Sequence, residues 1–197
     1  MNNLIFCPHT DDAIFSLGGY IIDNEHSFTI ASAFAGIPID EVGYKKHIKL
    51  RQEHDEACAM INAKSINGDL LDDVYGKQNE DILIDWIKNI IVNFDNIYIP
   101  LGIHHPDHVL LSDTIFNLMK DFNKTYFIYA ELPYRILYPE FYESRIVKFT
   151  KKYKMNNVST VFNGNKLNAI KLYDSQIQGD IVNSLMVLEK LWKIEND

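Results

Sequence analysis

The sequence predicts an α/β domain built on a mainly parallel β-sheet covered on both faces. Short apolar runs rich in β-branched and aromatic residues recur at Leu4–Cys7, Phe28–Phe34, Asn96–Pro100 and Tyr126–Ala130. Between them lie stretches whose apolar residues repeat at helical spacing, and strands alternating with helices imply crossover connections. The chain of 197 residues has no internal repeat, low-complexity tract or interdomain linker, so it reads as one domain, 1–197, with a substantial core.

Taken in order, Leu4–Cys7 is a buried strand that runs into Pro8-His9-Thr10-Asp11-Asp12, with a helix beginning near Ala13 and a Gly18-Gly19 pair allowing close packing where strand turns into helix. Tyr44 to Ala63, rich in Lys, Glu, Ala and Met, is predicted as a helix. Glu80 to Phe94 repeats Ile, Leu and Trp at helical intervals, and Val109 to Phe122 does the same with Val109, Leu110, Ile115, Leu118 and Met119. The texture changes after Glu131. Leu132 to Tyr153 carries Tyr134, Tyr138, Phe141 and Tyr142 and is interrupted by Pro133 and Pro139; it reads as a loop or lid leading to a strand at Arg145–Phe149. Lys166 to Gln176 and Val182 to Ile194 read as closing helices.

Composition narrows the function. The chain is 47% hydrophobic and 23% charged, as in an ordinary soluble globular protein. Its 19 basic and 27 acidic residues give a net charge of −8, which argues against nucleic acid as a partner. Small substrates stay open, because the field inside a cleft can oppose the net charge. No run approaches the roughly 18 to 20 apolar residues of a membrane helix. Met1-Asn2-Asn3 lacks the basic and apolar segments of a signal peptide, and the two cysteines, Cys7 and Cys58, give no disulfide framework. These features predict a cytoplasmic protein; no exposed apolar stripe indicates an oligomeric state.

Two clusters carry the chemistry. His9, Asp11 and Asp12 follow the first strand, and His104-His105-Pro106-Asp107-His108 follows the strand ending at Pro100. In open parallel α/β sheets ligands bind beyond the carboxyl ends of the strands, so the two clusters would meet on one edge of one sheet. A catalytic zinc site typically uses three ligands drawn from His and carboxylates and leaves a position open. A further carboxylate can act as a base and an imidazole can stabilise an oxyanion. Singly, each cluster has a plainer reading. His9 could be a turn residue, Asp11 or Asp12 a helix N-cap, and Pro106-Asp107 the opening of a helix. Their joint occurrence at equivalent strand ends favours function.

Pro8-His9-Thr10-Asp11-Asp12 together with His105-Pro106-Asp107-His108 resembles the PIG-L/LmbE-like family of zinc-dependent N-deacetylases, which act on N-acetylglucosaminyl and related amino-sugar substrates. Arg51-Gln52-Glu53-His54-Asp55 with Ala57 is similar to the family's R-x-E-D-x-x-A helix. Glu131-Leu132-Pro133-Tyr134 is similar to its E-x-x-P-Y segment, one residue shorter, and Lys166 through Tyr173, Ser175 and Gln176 to its K-x-x-A-I-x-x-Y-x-S-Q ending. The family more commonly has Pro in place of Thr10 and Glu in place of Ala13, so this chain lacks one carboxylate near the metal.

The resemblance implies a single-domain, Rossmann-like three-layer fold with its active site at the carboxyl ends of the strands. It implies one Zn²⁺ per chain held by His9, Asp12 and His108. Asp11 is then the general base, and His105 the protonated group that stabilises the oxyanion, with Asp107 orienting its imidazole. Arg51 either binds substrate or forms an i, i+4 salt bridge with Asp55. The predicted partner is a small N-acetylated sugar or sugar conjugate. Hydrolysis of another small-molecule amide and a non-catalytic sugar-binding role are the competing readings; a closed structural metal site has no use for Asp11. Cys7 and Cys58 read as core residues and His104 as a strand-end residue. Tyr134, Tyr138 and Tyr142 serve equally as a sugar-stacking wall or as packing.

Overall fold

The computed structural model describes residues 2–76, 79–160, 162–177 and 179–195. The sequence alternation produces the expected sheet. Strands β1 (Asn3–Cys7), β2 (Phe28–Ser32), β3 (Ala63–Asn67), β4 (Asn96–Pro100), β5 (Thr125–Tyr129), β6 (Lys154–Val158) and β7 (Leu191–Glu195) form one sheet in the order β3-β2-β1-β4-β5-β7-β6. Strands β1 to β5 pair in parallel. Strand β7 runs antiparallel to both β5 and β6.

Helices α1 (Asp12–Ile22), α2 (Glu41–Met60), α3 (Glu80–Ile91), α4 (Pro106–Leu118), α5 (Tyr134–Leu137), α6 (Pro139–Thr150), α7 (Lys166–Ile170) and α8 (Ile181–Leu185) cover the sheet. Side-chain alternation along β1 explains why both faces need a layer. Leu4 and Phe6 enter one core with residues of α3, α4 and α6. Ile5 and Cys7 enter a second with residues of α1, α2, α7 and α8. All five residues of β1 are buried, as expected of a central parallel strand. The strand order reverses between β1 and β4, which are hydrogen-bonded neighbours. That places the topological switch point, where such sheets bind ligands, between the two clusters.

The C-terminal third departs from expectation. The segment read as a loop followed by a strand at Arg145–Phe149 is helical, as α5 and α6. Pro139 begins α6, a position where proline suits a helix, and Tyr142, Arg145, Ile146 and Phe149 share one helical face. The closing helices shorten to α7 and α8, and Leu191–Glu195 is a strand. Its pairing with β5 and β6 overrides local propensity. Strands β3 and β6 escape the sequence because they are the sheet edges: AKSIN and KMNNV show no alternation and no fully buried residue. Gly18 and Gly19 lie within α1, not at the strand-to-helix turn. A Cβ on Gly18 would stand 3.2 Å from Lys166 Cγ, and one on Gly19 would stand 3.2 Å from Glu189 Oε1. The pair makes room for a buried salt bridge between Lys166 and Glu189, 3.0 Å long.

Candidate active site

The loop after β1 and the first turn of α1 deliver His9, Asp11 and Asp12. Asp11 occupies the N-cap of α1, yet its side chain makes no capping bond; its carboxylate is left for the pocket. The Asp12 carboxylate instead receives the His9 backbone N–H at 2.9 Å. The loop after β4 delivers His105 and His108. Gly102 there has a φ of +83°, and a Cβ on it would lie 2.7 Å from both Arg145 Nη2 and Ser112 Cβ. Arg145 Nε donates to the Leu101 carbonyl at 2.8 Å and holds this loop down. His105 is the N-cap of α4, Pro106 follows it, and the Asp107 backbone N–H donates to His105 Nδ1 at 3.3 Å.

His9, Asp12 and His108 converge. Asp12 Oδ2 lies 3.4 Å from His9 Nδ1 and 3.3 Å from His108 Nε2. Ligand atoms about 2.1 Å from a tetrahedral zinc stand about 3.4 Å from one another, so the spacing suits a metal. The outer ring nitrogens make the stronger case. His9 Nε2 is 3.1 Å from Asp107 Oδ2, and His108 Nδ1 is 3.3 Å from Glu131 Oε1. Each imidazole can therefore donate outward to a carboxylate, which leaves its inner nitrogen a free lone pair, the arrangement found behind metal-bound histidines. His108 Nε2 is buried with no hydrogen-bond partner. A cation between these three side chains would supply one.

Two further His/Asp groups, His9–Asp72–His105 and Asp73–His105–Asp107, have comparable spacing. The protons argue against them. Because His105 Nδ1 accepts an N–H, the neutral ring carries its proton on Nε2. That nitrogen faces Asp73 Oδ1 at 3.6 Å as a donor and has no lone pair to offer.

Electrostatics follows the same division. Burial pulls the His9 pKa down, but the Asp107 and Asp12 carboxylates outweigh it and hold the pKa well above the usual imidazole value. Burial likewise lowers that of His108, and Asp12 and Glu131 together lift it to about 9. Burial raises Asp12, whereas the two imidazoles pull it far below the usual carboxylate range. The carboxylates thus hold positive charge at this point, as protons or as a metal that displaces them. Asp11, pushed up by burial and by the Asp12 charge, reaches about 6. His105 is lowered by burial and then by His9 and His108.

The pocket measures about 250 Å³, and His9, Asp11, Asp12, His105, Lys46, His47 and Arg51 are among the residues that line it. The Asp107 carboxylate contacts His9, so its link to His105 runs through its backbone N–H. Arg51 lines the pocket but does not pair with Asp55: it donates to the Ala35 and Gly68 carbonyls at 2.7 and 2.9 Å and to Asp69 at 3.0 Å. Asp55 accepts from Ser65 instead. Tyr134 lies with its ring centroid 4.4 Å from that of His108, Tyr138 stacks on exposed His104, and Tyr142 packs against the core. Cys7 and Cys58 are buried.

Sequence reasoning noted Glu131 without giving it a task and did not single out Asp72, Asp73 or His47. An acidic residue just after a strand, at the same sheet edge as the two clusters, was the available signal for Glu131. Asp72 and Asp73 sit in a loop whose course no local pattern announces. Among the described residues no helix is long and apolar enough to cross a membrane.

No protein-family model matches the chain, and no curated protein matches its sequence. Solved structures match its fold. The zinc-inhibited form of teicoplanin deacetylase Orf2 superposes with a TM-score of 0.79 at 18% identity, covering 99% of this chain and 98% of that one. The A40926 pseudoaglycone deacetylase Dbv21 gives 0.70 at 16% identity, with 98% and 95% covered. The N,N'-diacetylchitobiose deacetylase of Pyrococcus horikoshii gives 0.60 at 20% identity, with 92% and 73% covered. These likenesses establish a shared α/β architecture, the one the sequence resemblance implied.

Proposed function

We propose that this chain is a metal-dependent N-deacetylase that releases acetate from an N-acetylated amino sugar or a related small molecule. One observation carries the reading: His9 and His108, each backed by a carboxylate, turn their inner nitrogens toward Asp12 beside a carboxylate, Asp11, that makes no helix cap. That the three solved structures compared above, among the best-superposing ones, are named as deacetylases supports the choice of reaction. A non-catalytic role would leave the buried charge of Asp11 without purpose.

His9, Asp12 and His108 would hold one divalent cation, zinc by the chemistry of two imidazoles and a carboxylate with a position left open. Bound there, zinc would polarise the amide carbonyl and make a neighbouring water more acidic. Asp11 takes a proton from the attacking water as the C–O bond forms. His105 donates its Nε2–H to the carbonyl oxygen as negative charge develops there, a role that the neutral ring can fill. Asp11 then returns the proton to the nitrogen as the C–N bond breaks, giving acetate and a free amine. A volume of about 250 Å³ falls just below the ~300–1,000 Å³ of drug-sized sites, so the pocket suits about one sugar residue.

The test is a screen of N-acetylated sugars and sugar conjugates for acetate release, with metal analysis of the same preparation. Release that stops with chelator and returns with added zinc is expected, at one metal per chain. Protein purified without chelator that contains no metal would end the metal reading.

A further inference from the structure

The loop between β4 and α4 takes two left-handed residues to reach His105. Gly102 has a φ of +83° and His104 a φ of +66°. Only the first is a residue suited to that conformation, since a Cβ crowds its own backbone there and glycine has none. The His105 N–H donates to the Ile103 carbonyl at 2.8 Å, across a single residue. That bond and the sign of φ make His104 the centre of a γ-turn of the rare, strained form.

The chain on either side of the turn is fixed. The Gly102 and Ile103 N–H groups donate to Glu131 Oε1 at 2.7 and 3.1 Å, and Ile103 is fully buried. His105 is the N-cap of α4. Between them His104 is exposed to solvent, so burial does not hold it. Two rings do. His104 lies nearly parallel on Tyr138, where α5 meets α6, with ring centroids 3.7 Å apart at 19°. It also meets Phe141 of α6 edge-on at 4.8 Å. A strained residue persists where its surroundings over-determine it.

We propose that His104 is a positioning residue: its stack on Tyr138 clamps the turn, and the turn sets where His105 presents its Nε2–H. The effect on catalysis rests on the deacetylase reading, in which that N–H meets the carbonyl oxygen; the clamp itself does not. The Asp107 N–H holds the His105 ring at Nδ1, so a backbone error at His104 is passed on to Nε2 rather than absorbed by rotation of the ring. A displacement of about 1 Å at a reacting group costs about 10²-fold in rate.

Three substitutions separate the side chain from the backbone conformation. His104→Ala keeps the Cβ that resists a positive φ and loses the stack. His104→Gly loses both, and Tyr138→Leu keeps bulk while removing the partner ring. Exchange of the His105 amide hydrogen, followed by NMR on the metal-loaded protein, needs no substrate; steady-state acetate release is measured beside it. His104→Ala and Tyr138→Leu should each speed that exchange and lower kcat by about tenfold or more, with KM and metal content at wild-type values. His104→Gly should restore both readouts, and adding Tyr138→Leu to it should change neither. Wild-type exchange or wild-type kcat in His104→Ala would overturn the proposal. So would an equal loss from Tyr138→Leu in the wild-type and His104→Gly backgrounds, because Tyr138 would then act without His104. Failure of the deacetylase reading would show differently, as the same exchange pattern without acetate release from any amide.

Discussion

The front of the site and the segment behind it differ in how their polar atoms are used. At the front, His108 Nε2 lacks a partner and Asp11 makes no cap. Behind it, in the chain after β5, Glu131 Oε2 and Arg135 Nε also lack partners, but several polar groups are tied to the elements that carry the site. Glu131 Oε1 receives the N–H groups of Gly102 and Ile103 as well as His108. Ser175 binds both carboxylate oxygens of Glu53 on α2, and Tyr173 donates to the Thr10 carbonyl at 2.9 Å. Glu189 receives the backbone N–H groups of Gly19 and Tyr20 within α1. The front leaves bonding capacity open for a metal and a substrate. The rear uses its capacity to hold the front in position.

The sharpest way to break this contrast is Asp11→Asn. If Asp11 belongs to the front, the variant keeps its metal and its thermal stability while acetate release falls by about 10²–10⁴-fold, the usual contribution of a general base. Metal content, melting temperature and kcat measured on one preparation decide it. An active variant would remove Asp11 from the chemistry, and a metal-free or unfolded one would move it to the support.

Most of the front could be read from residue order, and little of the rear could. The reactive groups follow strands β1 and β4, whose burial on both faces leaves continuous apolar runs. The motif and its place in the fold are thus local facts. The rear depends on partners distant in sequence: Glu189 meets Gly19, Tyr173 meets Thr10, and Glu131 meets His108. No periodicity records such pairings. Strand β7 belongs to the same class, since Leu191-Trp192-Lys193-Ile194 becomes a strand only because β5 and β6 offer it two edges. The Asp107 contact with His9 was hidden for a related reason. The family resemblance implied that Asp107 orients His105, but the helical turn sends the carboxylate toward His9 in the other loop.

A second test concerns the contact between the rear and α2, where His54 meets Tyr173. His54 is fully buried, with Nε2 3.4 Å from the Ser32 hydroxyl and Nδ1 3.0 Å from Tyr173 Oη. Burial lowers its pKa to about 4, against about 6.5 in an unfolded chain. Between those values the unfolded state binds a proton that the folded state refuses. The contribution is therefore complete above about pH 6.5 and is lost as pH falls toward 4, by about 3 kcal/mol in total. Denaturant titrations at pH 7 and pH 5 should show the wild type losing more stability than His54→Gln. Parallel losses would mean that His54 titrates normally and that the rear is more open than its packing indicates.

The smallest expected effect lies where the two regions join. In Glu131→Gln a neutral amide oxygen can still accept from Gly102, Ile103 and His108, so the loop after β4 should keep its course. What changes is charge: His108 loses the anion that makes its inner nitrogen a strong ligand. Replacing a carboxylate behind a metal-bound histidine typically costs about 10–100-fold in metal affinity. Competition against a chelator should register that loss, while kcat at saturating metal stays near the wild-type value. If kcat falls and affinity does not, Glu131 acts on the reaction itself and belongs to the front. If neither moves, the carboxylate serves only the Gly102 and Ile103 amides, and His108 owes its orientation to packing against Tyr134.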